Sequence, residues 1–320
     1  MILTYILFVI GFFFLIKGAD LLVDGASSVA KKFGISALVI GLTIVSFGTS
    51  MPELIVNIFA SINGNTDIAI GNILGSNIAN ILLILGVSAI IYPLAVKKGT
   101  AWKEIPFSFL AVIVLAIMAN DVFLDKTSYS AITRIDGFIL LSFFIIFMYY
   151  IFSISKTGAN ETQEKEPKIY SPLKSTLMII AGLIGLTFGG KWIVDGAVAF
   201  ASSFGVSQAL IGLTVVAVGT SLPELATSAV AAYKKNVDIA VGNVVGSNIF
   251  NIFWILGVSA IIKPLPFSSI MMIDVFMTVF ATTALFAFLF IGKKHILERW
   301  QGVCFILFYI IYIIYLIFRG

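Results

Sequence analysis

Side chains that bind metal through sulfur or nitrogen are almost missing from this sequence. Its 320 residues contain one cysteine, Cys304, and one histidine, His295. A disulfide therefore has no second thiol within the chain, and zinc or most transition metals lack their usual ligands. The sequence also shows no serine–histidine pair and no cofactor fingerprint, so an enzyme is the weakest interpretation. No resident cofactor is expected, and any metal ion must be held by oxygen atoms.

Charge is equally scarce. Charged residues make up 11% of the chain and hydrophobic residues 60%, and the mean hydropathy is +1.09. These values exclude a soluble globular protein and predict an integral membrane protein surrounded by lipid. The formal net charge of +4 does not indicate nucleic-acid binding, because the basic residues flank apolar segments, where membrane topology explains them.

Long apolar segments recur along the whole chain. Crossing a bilayer as a helix takes about 20 apolar residues, and we expect an all-α polytopic protein with ten transmembrane helices. The first segment lacks the basic n-region of a signal peptide, so it is taken as a helix of the fold. The predicted spans are roughly 2–16, 36–61, 68–91, 104–119, 136–153, 174–190, 207–232, 239–262, 270–291 and 300–318.

The sequence contains an internal repeat in one fixed register. GLTIVSFGTSMPE, which ends at Glu53, is answered by GLTVVAVGTSLPE, which ends at Glu224, 171 positions later. The same offset pairs DIAIGNILGSNIANI with DIAVGNVVGSNIFNI. Gene duplication explains such a register, and it divides the chain into a five-helix repeat at 1–152, a short linker at 153–173 and a second five-helix repeat at 174–320.

An odd number of spans per repeat predicts that the two repeats are inverted in the membrane. The positive-inside rule gives an independent test and places both termini outside the cell. Loops on the cytoplasmic side would hold 15 of the 20 basic residues. The five on the side of the termini are Lys126, Arg134, Lys191, Lys263 and Arg319.

The GTS-x-PE motifs place costly residues at membrane depth. Pro52 frees a backbone carbonyl near Gly48, and irregular backbone is tolerated in lipid only where it is buried or lines a cavity. Thr49, Ser50 and Glu53 then bring oxygen atoms together within about one helical turn. The second copy offers Thr220, Ser221 and Glu224. We expect the two broken helices, the second and seventh, to meet near the midplane and form a hard-cation site, although a protonated carboxyl bonded to a neighbouring helix would explain one glutamate.

The GSN-I-x-N motifs place polar side chains along one face of the following helices. Asn72, Ser76 and Asn80 are spaced by four in the first copy. Their counterparts are Asn243, Ser247 and Asn251. Cation contact is the preferred interpretation for the serines, whereas Asn72, Asn77, Asn243 and Asn248 are equally well explained by packing between helices.

Four aspartates near predicted helix ends receive other interpretations. Asp67 and Asp238 are predicted N-caps because they open their helices. Asp24 and Asp195 lie beside glycines, which favours capping or an ion pair in a loop.

Together the two motif pairs resemble the cation/calcium antiporter superfamily, and most of all its sodium/calcium exchangers. The resemblance covers residues 36–94 and 207–265. It implies exchange of Na⁺ for Ca²⁺ by alternating access, with about three Na⁺ per Ca²⁺, by a chain that needs no protein partner and could act as a monomer. It also implies that the first and sixth helices slide as a gate. Carrying the family's ligands over by motif implies that Glu53 and Glu224 bridge the central sites. They would be helped there by Thr49, Thr220 and the backbone carbonyls of Ser46 and Ala217. The flanking Na⁺ sites would be completed by Ser50, Ser76, Ser221 and Ser247.

Two departures bear on the counter-ion. Potassium-dependent relatives carry Asp where this chain has Asn251, which argues against K⁺ coupling. Proton-coupled exchangers typically place a glutamate near the positions of Gly75 and Gly246, which favours Na⁺ here. A proton-driven calcium antiporter remains the near alternative, and a cation channel built on carboxylates and broken helices is a more distant one.

Overall fold

The computed structural model describes residues 2–155, 168–204, 217–268 and 270–319. The first part of the chain is helical apart from two short strands. Its elements are α1 (Ile2–Phe33), α2 (Ala37–Thr49), α3 (Met51–Asn63), α4 (Thr66–Ile91), β1 (Leu94–Ala95), α5 (Lys98–Trp102), α6 (Glu104–Met118), α7 (Asp121–Leu124), β2 (Ser130–Ile132) and α8 (Arg134–Ser155).

The second part follows the same order, except that its described residues form no counterparts of the short helices α5 and α7. Its elements are α9 (Pro172–Ser203), α10 (Ala217–Thr220), α11 (Leu222–Tyr233), α12 (Val237–Ile262), β3 (Leu265–Phe267), α13 (Met271–Phe288), β4 (Ile296–Leu297) and α14 (Arg299–Arg319). The strands form two antiparallel pairs, β1 with β4 and β2 with β3, so each pair joins a loop of one part to a loop of the other.

The protein is an all-helical, multi-pass membrane protein. Within the described ranges, eight helices are long and apolar enough to span a bilayer, and nine if α2 and α3 count as one bent span. The predicted span at 207–232 begins at 207–216, which lie outside the described residues. In α4 and α12, 78% of the most apolar 18-residue window is buried, against 22–39% in the other spanning helices. These two helices therefore form the centre, and the others present apolar side chains to lipid.

Helices α1 and α9 pack antiparallel along most of their length. The contact runs through glycines seven residues apart: a Cβ at Gly11 would lie 2.9 Å from the Gly189 carbonyl oxygen, and one at Gly18 would lie 2.8 Å from that of Gly182. At the far end, a Cβ at Gly25 would lie 2.9 Å from the Ser175 carbonyl oxygen. Lipid provides little hydrophobic drive for helix association, so such close backbone approach is what holds the pair together.

Two predicted helix ends are wrong. The first span was expected to end near residue 16 and the sixth near residue 190, but α1 continues to Phe33 and α9 to Ser203. In α1 the charged residues lowered the local hydropathy without ending the helix, because Lys17 pairs with Asp20, and Lys234 pairs with Asp20 and Asp24. Asp24, expected at a cap or in a loop, lies inside α1 and forms an ion pair with Lys234.

The predicted N-caps are also displaced by two residues. Asn65 and Asn236 occupy the cap positions of α4 and α12, and Asp67 and Asp238 lie in the first turns. There a carboxylate still interacts favourably with the positive end of the helix dipole. Asp238 additionally pairs with Lys97, at 2.6 Å, which ties the start of α12 to the segment after β1.

Among the described residues, three stretches inside the helices wind as π-helix. They are Gly41–Val45 in α2, Asn80–Leu85 in α4 and Phe250–Leu256 in α12. A π turn shifts the hydrogen-bond register by one residue and redirects the side chains at its start, and such turns occur often at functional sites. The first residue of the α4 stretch is Asn80, and Asn251 is the second residue of the α12 stretch.

One ion-pair cluster joins α1 to α11, and its removal should lower stability modestly. Lys234 Nζ lies 2.7 Å from Asp24 Oδ1 and 3.1 Å from Asp20 Oδ1, and the lysine side chain is 25% exposed. We expect Lys234→Asn, which introduces the residue found at the equivalent Asn63, to lower the melting temperature of the purified protein by roughly 2–4 °C.

A matched control lies in the same cluster. Lys17 contacts Asp20 at 3.7 Å with 60% of its side chain exposed, so solvent screens the pair. Lys17→Asn should shift the melting temperature by less than about 1 °C. Equal shifts for the two variants would contradict the assignment of the tie between α1 and α11 to Lys234.

Candidate functional site

Two breaks in the helices define the candidate site. The axis bends by 46° between α2 and α3, at Ser50, and α10 gives way to α11 at Ser221. Pro52 and Pro223 lie in the first turn after each break, where their missing N–H leaves a carbonyl of the preceding turn without its helical donor. The breaks therefore expose backbone and side-chain oxygen atoms inside the protein.

The first carboxylate of the site is Glu53, in the first turn of α3. It is 1% exposed. Its Oε1 accepts hydrogen bonds from Ser76 of α4, at 3.4 Å, and from Ser221 at the opposite break, at 3.5 Å. The hydroxyl oxygens of Ser221 and Ser76 also lie 3.3 Å from each other. Hydroxyls from both parts of the chain thus surround one carboxylate.

The second carboxylate, Glu224, repeats this arrangement in α11. It is also 1% exposed, and its Oε1 accepts a hydrogen bond of 2.9 Å from Ser50 at the first break. Ser50 lies 3.0 Å from the hydroxyl of Ser247 in α12. The two breaks, which are far apart in sequence, therefore meet in one buried pocket that contains both glutamates.

Four buried oxygen atoms at this site accept no hydrogen bond from any described residue. They are Oε2 of Glu53, Oε2 of Glu224, Oδ1 of Asn80 and Oδ1 of Asn251. A buried acceptor without a donor is costly unless something else satisfies it. Because all four are acceptors and two belong to carboxylates, cations are the chemical complement that would satisfy them.

The amide orientations of Asn80 and Asn251 are fixed by the hydrogen bonds that their Nδ2 atoms donate. Asn80 donates from Nδ2 to Asn248 Oδ1, and Asn251 donates from Nδ2 to Asn77 Oδ1, both at 2.9 Å. Each amide therefore turns its oxygen away from its own donor contact. Asn77 and Asn248, for which packing and cation contact were equally good interpretations, serve here to orient Asn251 and Asn80.

The threonines before the breaks each contact an asparagine of the opposite part. Thr49 Oγ1 donates to Asn243 Oδ1 at 3.0 Å, and Thr220 Oγ1 donates to Asn72 Oδ1 at 3.4 Å. The Ser46 carbonyl oxygen lies 3.3 Å from Thr49 Oγ1 and is an alternative acceptor for the same hydroxyl hydrogen.

The two backbone carbonyls that the resemblance suggested belong to residues at equivalent positions, each three residues before the threonine that precedes a break. The Ser46 carbonyl also accepts the Ser50 N–H, at 3.0 Å, so only part of its acceptor capacity is free. Ala217 opens α10, three residues before Thr220.

Sequence analysis missed two residues that contact this network. Asn57 is fully buried in α3 and accepts a hydrogen bond of 2.6 Å from Asn72. Its counterpart Ser228 is fully buried in α11 and accepts a hydrogen bond of 2.9 Å from Asn243. The signal was spacing, because each residue follows its glutamate by four and lies on the same helical face.

The donor set suits a hard cation. Within the part of the chain that the structure describes, no three His, Cys, Asp or Glu side chains lie close enough together to hold a metal. The pocket instead combines two carboxylates with neutral hydroxyl, amide and carbonyl oxygens, which is the mixture that Ca²⁺ and similar ions prefer. Two buried negative charges at membrane depth also require compensation by cations or protons.

A multi-pass helical protein with a buried oxygen pocket at two helix breaks defines the class of membrane ion transporters. The family model described as sodium/calcium exchanger protein matches residues 3–153 and 174–318. The chain therefore belongs to the sodium/calcium exchanger protein family, whose members are ion exchangers and not enzymes.

Two similar proteins match this chain over nearly its full length, and a third matches about two thirds of it. The sodium/calcium exchanger MaX1 of Methanosarcina acetivorans is 32% identical over 341 residues, which covers 96% of this chain and 96% of MaX1. A solved structure of the sodium-calcium exchanger NCX_Mj matches with a TM-score of 0.83 at 36% identity, covering 98% of this chain and 99% of that one. The calcium/proton antiporter ChaA of Bacillus subtilis is 26% identical and covers 65% of this chain and 63% of its own.

Proposed function

We propose that this protein exchanges Na⁺ for Ca²⁺ across the cell membrane by alternating access. The observation that carries the proposal is the pair of buried glutamates, Glu53 and Glu224, each contacted by a hydroxyl from the opposite part of the chain. Each also has a second oxygen that receives no hydrogen bond from the described part of the chain. A cation bound there would touch both repeats at once, as expected for an ion that controls their relative movement.

The charge of the pocket favours exchange over simple binding. Two carboxylates carry a charge of −2, which one Ca²⁺ neutralises and which two or three Na⁺ can also compensate. Either load fills the same oxygens, so the two exclude each other. If the protein changes its opening only when the pocket is filled, each ion leaves on the side where its site is weaker, and one is exchanged for the other. Three Na⁺ per Ca²⁺ would make the exchange electrogenic.

Within this proposal the ligands fall into a central and a flanking group. Glu53 and Glu224 bridge the central sites, together with oxygens of Thr49 and Thr220 and the carbonyls of Ser46 and Ala217. The flanking Na⁺ sites take the hydroxyls of the pocket and the two free amide oxygens, which belong to Ser50, Ser76, Ser221, Ser247, Asn80 and Asn251. The side chains of both glutamates, of Thr49, of the four flanking serines and of the two asparagines are at most 3% exposed.

We further propose ten spans in two inverted repeats with both termini outside. The antiparallel packing of the equivalent helices α1 and α9 supports inversion, because two copies inserted in the same direction would place these helices parallel. Contacts between α2 and α12 run in the same direction along both helices: Gly41 packs near Asp238, and Ser46 packs near Gly246. Inversion explains that direction too, and sliding of α1 and α9 over the fixed pocket would alternate access.

Coupling to Na⁺ gives the first test of the proposal. Purified protein in liposomes loaded with Na⁺ should take up ⁴⁵Ca²⁺ when diluted into Na⁺-free medium, and uptake should fall to background when Na⁺ is absent on both sides. An outward K⁺ gradient of the same size should drive no uptake, because Asn251 supplies an amide where K⁺-dependent relatives have a carboxylate.

The alternative is a calcium/proton antiporter, favoured by one observation. Both glutamates are fully surrounded by protein and hydroxyl donors, an environment in which protons could take the place of Na⁺. Liposomes with an imposed pH gradient and no Na⁺ distinguish the two. Calcium uptake driven by that gradient alone would contradict sodium coupling, and uptake that needs no opposing ion at all would indicate a channel.

A further inference from the structure

A chain of hydrogen bonds leads from the backbone of α4 to the ion pocket. The Ala69 carbonyl, which can only accept, takes a hydrogen bond of 3.0 Å from Nδ2 of Asn57. This fixes the Asn57 amide so that its Oδ1 faces Asn72, whose Nδ2 donates to it at 2.6 Å. The Asn72 Nδ2 also donates to the Glu53 carbonyl at 3.4 Å. Asn72 is therefore forced to turn its own Oδ1 toward Thr220.

The other half of the protein reaches the same result with a different residue. The Ala240 carbonyl accepts a hydrogen bond of 3.4 Å from the Ser228 hydroxyl, and Ser228 Oγ accepts one of 2.9 Å from Asn243. Asn243 also donates to the Glu224 carbonyl, at 3.4 Å, and turns its Oδ1 toward Thr49. A serine therefore performs in one half what an asparagine performs in the other, since each can donate to a carbonyl and accept from an amide.

The asparagine at the pocket end of each hydrogen-bond chain determines where the neighbouring threonine points its single hydroxyl hydrogen. An asparagine oxygen facing Thr220 or Thr49 demands that the threonine donate. If the amide were reversed, its N–H would donate to the threonine oxygen and occupy one of the two lone pairs that could otherwise bind the ion. The Glu53 carboxylate also lies within reach of the Thr220 hydroxyl. A cation engages that carboxylate, which leaves the asparagine oxygen as the acceptor and the threonine lone pairs for the ion.

We propose that Asn57 and Ser228 are positioning residues for the bound cation. Acting through Asn72 and Asn243, they direct the threonine hydrogens away from the ion and keep the threonine oxygens available as ligands. The inference rests on the proposed function, because it concerns affinity for the same transported ion. It assigns to Asn57 and Ser228 a role that neither the repeated motifs nor direct contact with the pocket reveals.

The test compares loss of the polar group with its conservative replacement. Asn57→Ala should raise the dissociation constant for ⁴⁵Ca²⁺, measured on the purified full-length protein, and the KM for ⁴⁵Ca²⁺ uptake by about tenfold while the maximal rate changes less than about twofold. Asn57→Ser should stay within about twofold of wild type, because serine can make both hydrogen bonds as Ser228 does. Ser228→Ala should mimic Asn57→Ala, and Ser228→Asn should be tolerated.

The serine variant separates orientation from packing. Serine fills little more space than alanine, so a residue that only fills space would leave Asn57→Ser as impaired as Asn57→Ala, and that result would overturn the proposal. Ser61→Ala is the matched control, because Ser61 is fully buried one turn further along α3 and its hydroxyl has no hydrogen-bond partner among the described residues. Loss of affinity in that variant would also overturn the proposal. If Asn57→Ala fails to fold, Ser228→Ala against Ser228→Asn decides the same question.

The two proposals fail differently in this experiment. Wild-type protein that binds Ca²⁺ but does not exchange it for Na⁺ would overturn the proposed function, while the binding constants would still measure the positioning role. Wild-type exchange combined with unchanged affinity in Asn57→Ala and Ser228→Ala would overturn the positioning role alone. Absence of Ca²⁺ binding by the wild-type protein would overturn both.

Discussion

Calcium uptake should be abolished when either pocket carboxylate is replaced by its amide. Glu53→Gln and Glu224→Gln preserve shape and burial and remove one negative charge from a site where both glutamates are 1% exposed. Loss of one partner of a buried ion pair, here the carboxylate that faces the bound cation, costs roughly 3–5 kcal/mol. About 1.4 kcal/mol corresponds to a tenfold change in affinity. Uptake of ⁴⁵Ca²⁺ driven by a Na⁺ gradient should therefore fall by about a hundredfold or more in each variant.

The equality of the two effects is the informative part. Each glutamate receives a hydroxyl from the opposite half of the chain, so a single ion bound between them depends on both. If one glutamate served only as a hydrogen-bonded acid within the fold, its Gln variant would take up calcium at nearly the wild-type rate. Uptake that survives Glu224→Gln and not Glu53→Gln, or the reverse, would contradict the shared site.

A buried glutamate outside the pocket supplies the control. Glu104 is 2% exposed in α6 and accepts a hydrogen bond from Tyr150 of α8. Its amide variant, Glu104→Gln, tests what the same substitution does to a helical membrane protein away from the ion. We expect Glu104→Gln to retain uptake of the same order as wild type, and loss of uptake in this variant would show that amide substitution harms the fold in general.

The pocket could be predicted from the sequence because duplication repeats its motif. A proline and a glutamate at membrane depth are ambiguous once, but their recurrence 171 residues later indicated that Glu53 and Glu224 act together. The structure places both at helix breaks and brings Ser50 to Glu224 across the two halves. Physical cost made this prediction possible, since lipid rarely tolerates such residues without compensation.

The positioning residues escaped the same reasoning because the repeat is imperfect at their positions. Asn57 aligns with Ser228, two residues of different size, so the pair does not stand out as a motif. Their equivalence appears only in the hydrogen bonds, where each links a backbone carbonyl to an asparagine. A sequence pattern records residue identity, whereas the site requires a donor and an acceptor in the right order.

The length of α1 was missed for a related reason. Lys17, Asp20 and Asp24 lowered the hydropathy after residue 16, which predicted the end of the span. In the structure these charges lie within one helix and are paired with each other or with Lys234. Pairing depends on a partner more than 200 residues away, and local hydropathy contains no information about it.

The glycine contact between α1 and α9 leads to the second large expected effect. A Cβ at Gly18 would lie 2.8 Å from the Gly182 carbonyl oxygen and 2.8 Å from the Leu186 backbone nitrogen. Backbone atoms cannot rotate away as a side chain could, so Gly18→Leu must push the two helices apart. Overpacking of this kind costs about 1–3 kcal/mol or more, and we expect Na⁺-driven ⁴⁵Ca²⁺ uptake to fall at least about tenfold in reconstituted protein.

A glycine with open space around it provides the control for any general effect of replacing glycine by leucine. A Cβ at Gly71 of α4 would meet no heavy atom within 4 Å, and the residue is exposed. Gly71→Leu should therefore transport at a rate close to wild type. Since α1 and α9 are the helices proposed to slide, wild-type transport by Gly18→Leu would mean that their close packing is not needed for the cycle, and the gating role would have to be assigned to other helices.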